Sequence, residues 1–253
     1  TYLVLAAVIF VTLTADDNGQ EKGPHTAIID IDGVIASGAP ANAYDVIAGH
    51  ERAFESKDVE GIIIRINSPG GSPVQSELIN QEINRLRSLK PDIPVYAVVE
   101  DLCASGGYYV AVAADTIYVA PSSIVGSIGV RMDGFEFTEA LDSLGIKRRL
   151  LTAGENKAFL DPFSPMKPTQ QAHAKSILNN IHQQFIKAVT IGRGERLQNS
   201  PEIFSGLVWT GEQSIELGLV DDYGSVLSVS RDVIGAKELV NYSVQEGFGE
   251  RII

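Results

Sequence analysis

Between Pro24 and Pro121 the chain alternates short, almost unbroken apolar runs with amphipathic stretches. That alternation restricts its fold more than any other feature. The apolar runs are Thr26–Ile35, the start of Gly61–Gly71, Pro94–Glu100 and Thr116–Pro121. Between them, Ala41–Ser56 and Pro73–Leu89 carry apolar residues at helical spacing, and Tyr108–Ala114 is a shorter helical stretch. Strands apolar on both faces belong to a largely parallel sheet that is covered on both sides. The predicted class is therefore α/β, with helices on both faces of the sheet and right-handed crossovers. After Gly134 the pattern becomes more helical. It predicts a helix over Phe135–Leu144, a strand over Arg148–Thr152 and a long helix from Pro168 to about Ile191. A short helix over Gly211–Leu217 follows, opened by Thr210 with Gln213 in a capping box. One compact domain with a helical C-terminal part is the economical reading.

Composition removes several function classes. The 253 residues hold 32 acidic and 20 basic side chains, a formal charge of −12, which opposes a nucleic-acid surface. One cysteine excludes a disulfide framework and a Cys-rich metal site, and neither cofactor nor metal is expected. Thr1–Leu13 is apolar, but as a helix it would reach only about 20 Å. A hydrocarbon core needs about 30 Å. The polar stretch Asp16–Pro24 follows it. The favoured division is a truncated membrane anchor or apolar segment at 1–15, a linker at 16–25, a folded domain at 26–240 and a tail at 241–253. A buried terminal element and a cleaved signal segment are the alternatives for the first residues.

Two loops attract attention as sites of chemistry. Leu102–Tyr109 puts Ser105 between a buried strand and a helix, at the carboxyl edge of the sheet, where ligands of such sheets bind. Free backbone N–H groups there can stabilise a developing oxyanion. The ordinary reading is that Ser105 caps a helix and the glycines permit close packing. Cys103 stands where the hydrolase elbow Gly-x-Ser-x-Gly would have its first glycine. Asn67–Gly71 ends another strand at the same edge, and is either a second wall of the site or a plain Pro-Gly turn. A nucleophilic serine needs a base. Of the four histidines, His25 falls in the linker, His50 opens a polar stretch, and His173 and His182 lie on the long helix. Lys157, flanked by apolar residues after Arg148–Thr152, is the lysine for which burial is expected, whereas Lys147 beside Arg148 and Arg149 is solvated. Most lysines are simply exposed, so the residues alone leave this role open.

The ordered set Asn67–Gly71, Ala104–Tyr109, Gly126–Val130 and Gly154-x-x-Lys157…Asp161-Pro-Phe163 resembles the signal peptide peptidase A (SppA/SohB-like) family of serine peptidases, over roughly Thr26–Val220. The resemblance implies a ClpP/crotonase-like fold and a Ser–Lys dyad, with Ser105 as nucleophile, Lys157 as general base and Ser127 orienting the amine. It implies an oxyanion hole at Gly71, the Ser105 N–H and Gly106, with Gly70 beside them. It further implies peptide substrates, signal-peptide remnants among them, and an anchor in the cytoplasmic membrane with the peptidase domain outside. Homo-oligomeric rings are implied too, with the Ser and Lys of one site drawn from neighbouring protomers. Two positions depart from the family pattern: Cys103, where a small residue is expected, and Asn156, where many members have Tyr. The competing readings are a crotonase-type acyl-CoA enzyme on the same fold and a non-catalytic membrane-associated scaffold.

Overall fold

The computed structural model describes residues 23–244; the expected anchor, most of the linker and the end of the tail lie outside them. Eight strands form one sheet: β1 (His25–Asp32), β2 (Val59–Ser68), β3 (Val95–Ala104), β4 (Thr116–Val119), β5 (Ile124–Gly126), β6 (Val208–Thr210), β7 (Asp222–Tyr223) and β8 (Leu239–Asn241). The main path runs β6-β5-β3-β2-β1-β8, with β4 and β7 branching from β3. Every pairing is parallel except β5 with β6. The helices are α1 (Ala43–Glu55), α2 (Pro73–Leu89), α3 (Gly106–Ala111), α4 (Thr138–Ser143), α5 (Pro168–Arg193), α6 (Gly211–Glu216) and a last turn α7 (Val226–Ser228) that runs into a π-helix, Val229–Ile234.

The central strands fold as their sequences require. Ile29, Ile31, Ile62, Ile64 and Ile66 are fully buried on one face beneath Ile79 and Ile83 of α2. Each such side chain contributes about 1.5–3 kcal/mol by leaving water. The opposite face is apolar only at one end, where Ile63 and Val98 pack under Val229 and Ile234. Further along that face Arg65 and Asp30 form an ion pair of 2.6 Å. α2 begins and ends where its sequence says: Ser72 caps it, Pro73 fills its first turn, and the helix stops before Lys90-Pro91. The Thr210–Gln213 capping box opens α6 as expected.

Three expectations differ from the observed fold. Arg148–Thr152 is not a strand: all five residues are exposed, so the segment has no apolar face packed against the sheet. His25 is the buried first residue of β1 rather than part of a spacer, and its ring stacks on Tyr242. His50 is fully buried on the inner face of α1. Burial lowers its pKa to about 4, despite its hydrogen bond to the Val46 carbonyl. It is therefore neutral at ordinary pH.

β3 fixes the position of the site. Its first half pairs with β4 and its second half, Leu102–Ala104, with β5. The register with β2 breaks between Ile66 and Ser68. The strand thus delivers Ser105 to a point where the ends of β2, β3 and β5 meet.

Candidate active site

Ser105 occupies the single residue between β3 and α3, with φ 52° and ψ −120°. That is a conformation side chains rarely adopt, costing on the order of 1–3 kcal/mol. The surrounding structure enforces it: the Ser105 N–H donates to the Gly126 carbonyl at 2.8 Å, while its own carbonyl accepts from Tyr109 N–H at 2.9 Å. The side chain makes no capping bond to its helix, so the ordinary role of a serine at this position is unfilled. Ser127, just past β5, has the same left-handed backbone (φ 53°) and donates its N–H to Leu207 at 2.7 Å. Among the described residues only Leu160 joins these two serines as a non-glycine with positive φ. Both serines line one cavity of about 680 Å³.

The Asn67–Gly71 loop closes against α3 at backbone distance. A Cβ on Gly70 (φ 90°) would lie 2.5 Å from the Gly106 nitrogen, and one on Gly106 would lie 2.4 Å from Ser76 Oγ and 3.2 Å from the Gly71 nitrogen. Only glycine permits that approach. Its consequence is that the backbones of Gly71 and Gly106 lie side by side on the wall of the cavity that Ser105 also lines. Among the described residues neither of their N–H groups donates to a protein acceptor. The Gly70 N–H donates to Ser68 Oγ at 3.1 Å, so Gly70 shapes the loop and gives no donor. The Ser105 N–H is likewise committed to Gly126, which removes it from the expected oxyanion hole.

The expected base lies elsewhere. Lys157 is exposed, in the turn-rich segment between α4 and α5, and does not line the cavity of Ser105. Its apolar neighbours Ala158, Phe159 and Leu160 are only half-buried, so the expected burial of the amine is absent. The structure therefore brings together Ser105, Ser127, Gly70, Gly71 and Gly106, and leaves Lys157 apart. No histidine lines this cavity either. His182 instead hydrogen-bonds the Ile128 carbonyl at 3.1 Å, tying α5 to the Ser127 loop. Cys103 is buried beneath the site, and burial pushes its thiol pKa up, which makes it packing rather than a nucleophile.

Sequence reasoning missed the outer walls. The first turns of α2 supply Ser76 and Glu77, α3 supplies Tyr109, and α5 supplies Ile181, Gln184 and Phe185. The Tyr109 and Phe185 rings lie 5.0 Å apart. Glu77 could have been found, since it follows Gly71 by only six residues on a helix capped at Ser72.

Residues 87–239 match the family model described as Peptidase family S49. The chain is 46% identical over 187 residues to a Na(+)/H(+) antiporter NhaA of Brucella melitensis, covering 74% of this chain and 25% of that protein. It is 30% identical over 220 residues to Protease 4 of Haemophilus influenzae, covering 85% of this chain and 35% of the relative. The chain thus spans only about a quarter to a third of these relatives' lengths. Among solved structures, a serine-to-alanine mutant of the 1510-N membrane-bound stomatin-specific protease superposes with a TM-score of 0.52 at 19% identity, covering 88% of this chain and 96% of that one. That likeness extends to the fold, a ClpP-like α/β arrangement.

Proposed function

Because the chain belongs to peptidase family S49, we propose that it is a serine peptidase in which Ser105 attacks the peptide carbonyl and Lys157 is the general base. The observation that carries this reading is the Ser105 backbone: a strained, uncapped serine lining a cavity together with Gly71 and Gly106, whose N–H groups have no protein acceptor among the described residues. As the Ser105 Oγ–carbonyl bond forms, the serine proton passes to the uncharged lysine amine. The carbonyl oxygen becomes an oxyanion held by the N–H groups of Gly71 and Gly106. The ammonium then protonates the leaving amine, and water repeats the sequence on the acyl-enzyme. Ser127 orients the amine from across the cavity.

The exposure of Lys157 is read as a feature of the single copy. A lysine acts as a base only when uncharged, which exclusion of water favours. The segment that carries it exposes Phe135, Leu144 and Leu151, the last at 95%. Apolar surface of that extent is normally covered. We assign the covering to a second copy, so that Lys157 of one chain completes the site of another within a homo-oligomer. The substrates are apolar peptides, with signal-peptide remnants the class proposed. Attachment to the cytoplasmic membrane through the first residues, with the peptidase facing outward, completes the reading. Among the described residues no helix is long and apolar enough to cross a membrane.

A fluorophosphonate probe tests the nucleophile and the enzyme class together. Labelling at Ser105, abolished in Ser105→Ala, is the expected result. Labelling at any other residue would sink the assignment.

A further inference from the structure

The Ser105 cavity carries an unbalanced charge that hydrolysis itself does not use. Among the described residues three ionisable side chains other than tyrosine line it: Glu77, Arg131 and Asp133. Arg131 and Asp133 pair with each other at 3.6 Å and stand 90% and 78% exposed at the rim. Glu77 is half-buried on the α2 wall, and among the described residues it has no cationic partner; its hydrogen bond comes from the Gln81 amide at 2.9 Å. It lies past the first turn of α2, so it does not serve the helix end.

The surroundings of Glu77 define what it could hold. Asn80, one turn along α2, donates to the Tyr109 carbonyl at 2.8 Å and locks the two walls together. The Tyr109 phenol is pushed up first by burial and then by the negative charge of Glu77, so the carboxylate stands within Coulomb reach of the ring's outer end. Beside them Tyr109, Ile181 and Phe185 make an apolar surface. A long apolar stem ending in a cation fits such a wall, its methylenes on the rings and its charge at the carboxylate. We infer that Glu77 is a specificity-determining residue that recognises a lysine or arginine side chain of the peptide substrate within the Ser105 cavity. This inference rests on the peptidase reading above. It also agrees with the chemistry of signal peptides, in which a positively charged stretch adjoins an apolar one.

The chain's net charge of −12 would by itself draw cationic peptides, so the test must separate one carboxylate from the whole field. Binding is measured by fluorescence anisotropy on Ser105→Ala, with acetylated Ala/Leu peptides that carry lysine or its uncharged isostere norleucine at each position in turn. At one position lysine should bind about tenfold more tightly than norleucine. Adding Glu77→Gln should bring that ratio close to one, and Glu77→Lys should shift the preference to a glutamate peptide. Glu60→Gln, at the far end of β2, should leave the ratio unchanged. A lysine preference that survives Glu77→Gln, or that Glu60→Gln weakens equally, overturns the inference, as does the absence of any such position. Hydrolysis of the norleucine peptides by the unsubstituted chain reports separately on the peptidase reading. Its absence would overturn that reading, while the binding ratio alone decides the role of Glu77.

Discussion

The two halves of the proposed dyad sit in regions held by opposite means. Ser105 and Ser127 end strands whose side chains reach zero exposure, and both keep strained backbones because neighbouring carbonyls hold their N–H groups. Arg131–Lys167 contains no buried residue at all. Its order comes from surface contacts: Phe137 lies between Phe135 and Phe163 at centroid distances of 6.0 and 5.7 Å, Arg148 lies over the Phe163 ring at 5.4 Å, and Arg148 pairs with Asp161. α5 joins the regions, starting directly after the exposed segment and ending with Phe185, Val189 and Arg193 in the core. The difference teaches that, on the proposed mechanism, the nucleophile and oxyanion donors belong to a region preorganised by buried strands, whereas the proposed base belongs to a region with no buried residue to hold it.

The sharpest way to break that comparison is to disable each half separately. Ser105→Ala and Lys157→Ala should each lower kcat/KM for an apolar peptide by roughly 10⁴-fold, by analogy with other nucleophile–base pairs, with unchanged thermal melting. Mixed in equal amounts after dissociation and reassembly, the two inactive proteins should recover about a quarter of the original activity. That is the fraction of sites in which an intact serine faces an intact lysine from another copy. A mixture that stays inactive would mean that both residues act within one chain.

A smaller effect separates the regions by crowding alone. Gly70 and Gly145 both have positive φ, at 90° and 67°. A Cβ on Gly70 would meet the Gly106 nitrogen at 2.5 Å, whereas one on Gly145 would meet nothing within 4 Å. Gly145→Ala should therefore cost about 1 kcal/mol from backbone conformation only. Gly70→Ala should cost a further 1–3 kcal/mol, roughly, because the loop must move, and it should reduce activity by about 100-fold or more as the two N–H groups part. Denaturant melts of the two variants check the order; equal losses would refute the idea that the loop approach is tight.

The same contrast explains what could be read from the residues. β1, β2 and β3 are long apolar runs, and α2 carries its own cap and stop, so their signals are local and dense. β5, β6 and β8 are three residues each, too short for any period; β5 and β8 form on the edges of the longer β3 and β1, and β6 pairs in turn with β5. Arg148–Thr152 is the converse case, strand-like in composition but exposed at every residue and packed on nothing. Ser105, Ser127 and the glycines were legible as motifs. Their left-handed backbones were not, since nothing in a serine announces one. His50 shows the same limit: it opens a polar stretch, yet its place on α1 turns it into the core. Apolar flanks suggest burial for Lys157, but Ala158, Phe159 and Leu160 are only half-buried, in a segment that has no core of its own.

The mildest perturbation addresses that surface directly. Leu151 is 95% exposed, so replacing it removes almost no contact within the chain. Leu151→Asp should change the unfolding free energy by less than about 0.5 kcal/mol. If a second copy covers the segment, the new carboxylate must be desolvated on assembly, which is costly without a partner. Light scattering should then show a smaller species than the unsubstituted chain at equal concentration, and activity should fall in parallel with mass and recover as concentration rises. Unchanged mass and activity would place the covering surface away from Leu151 and leave Lys157 without the neighbour it is proposed to serve.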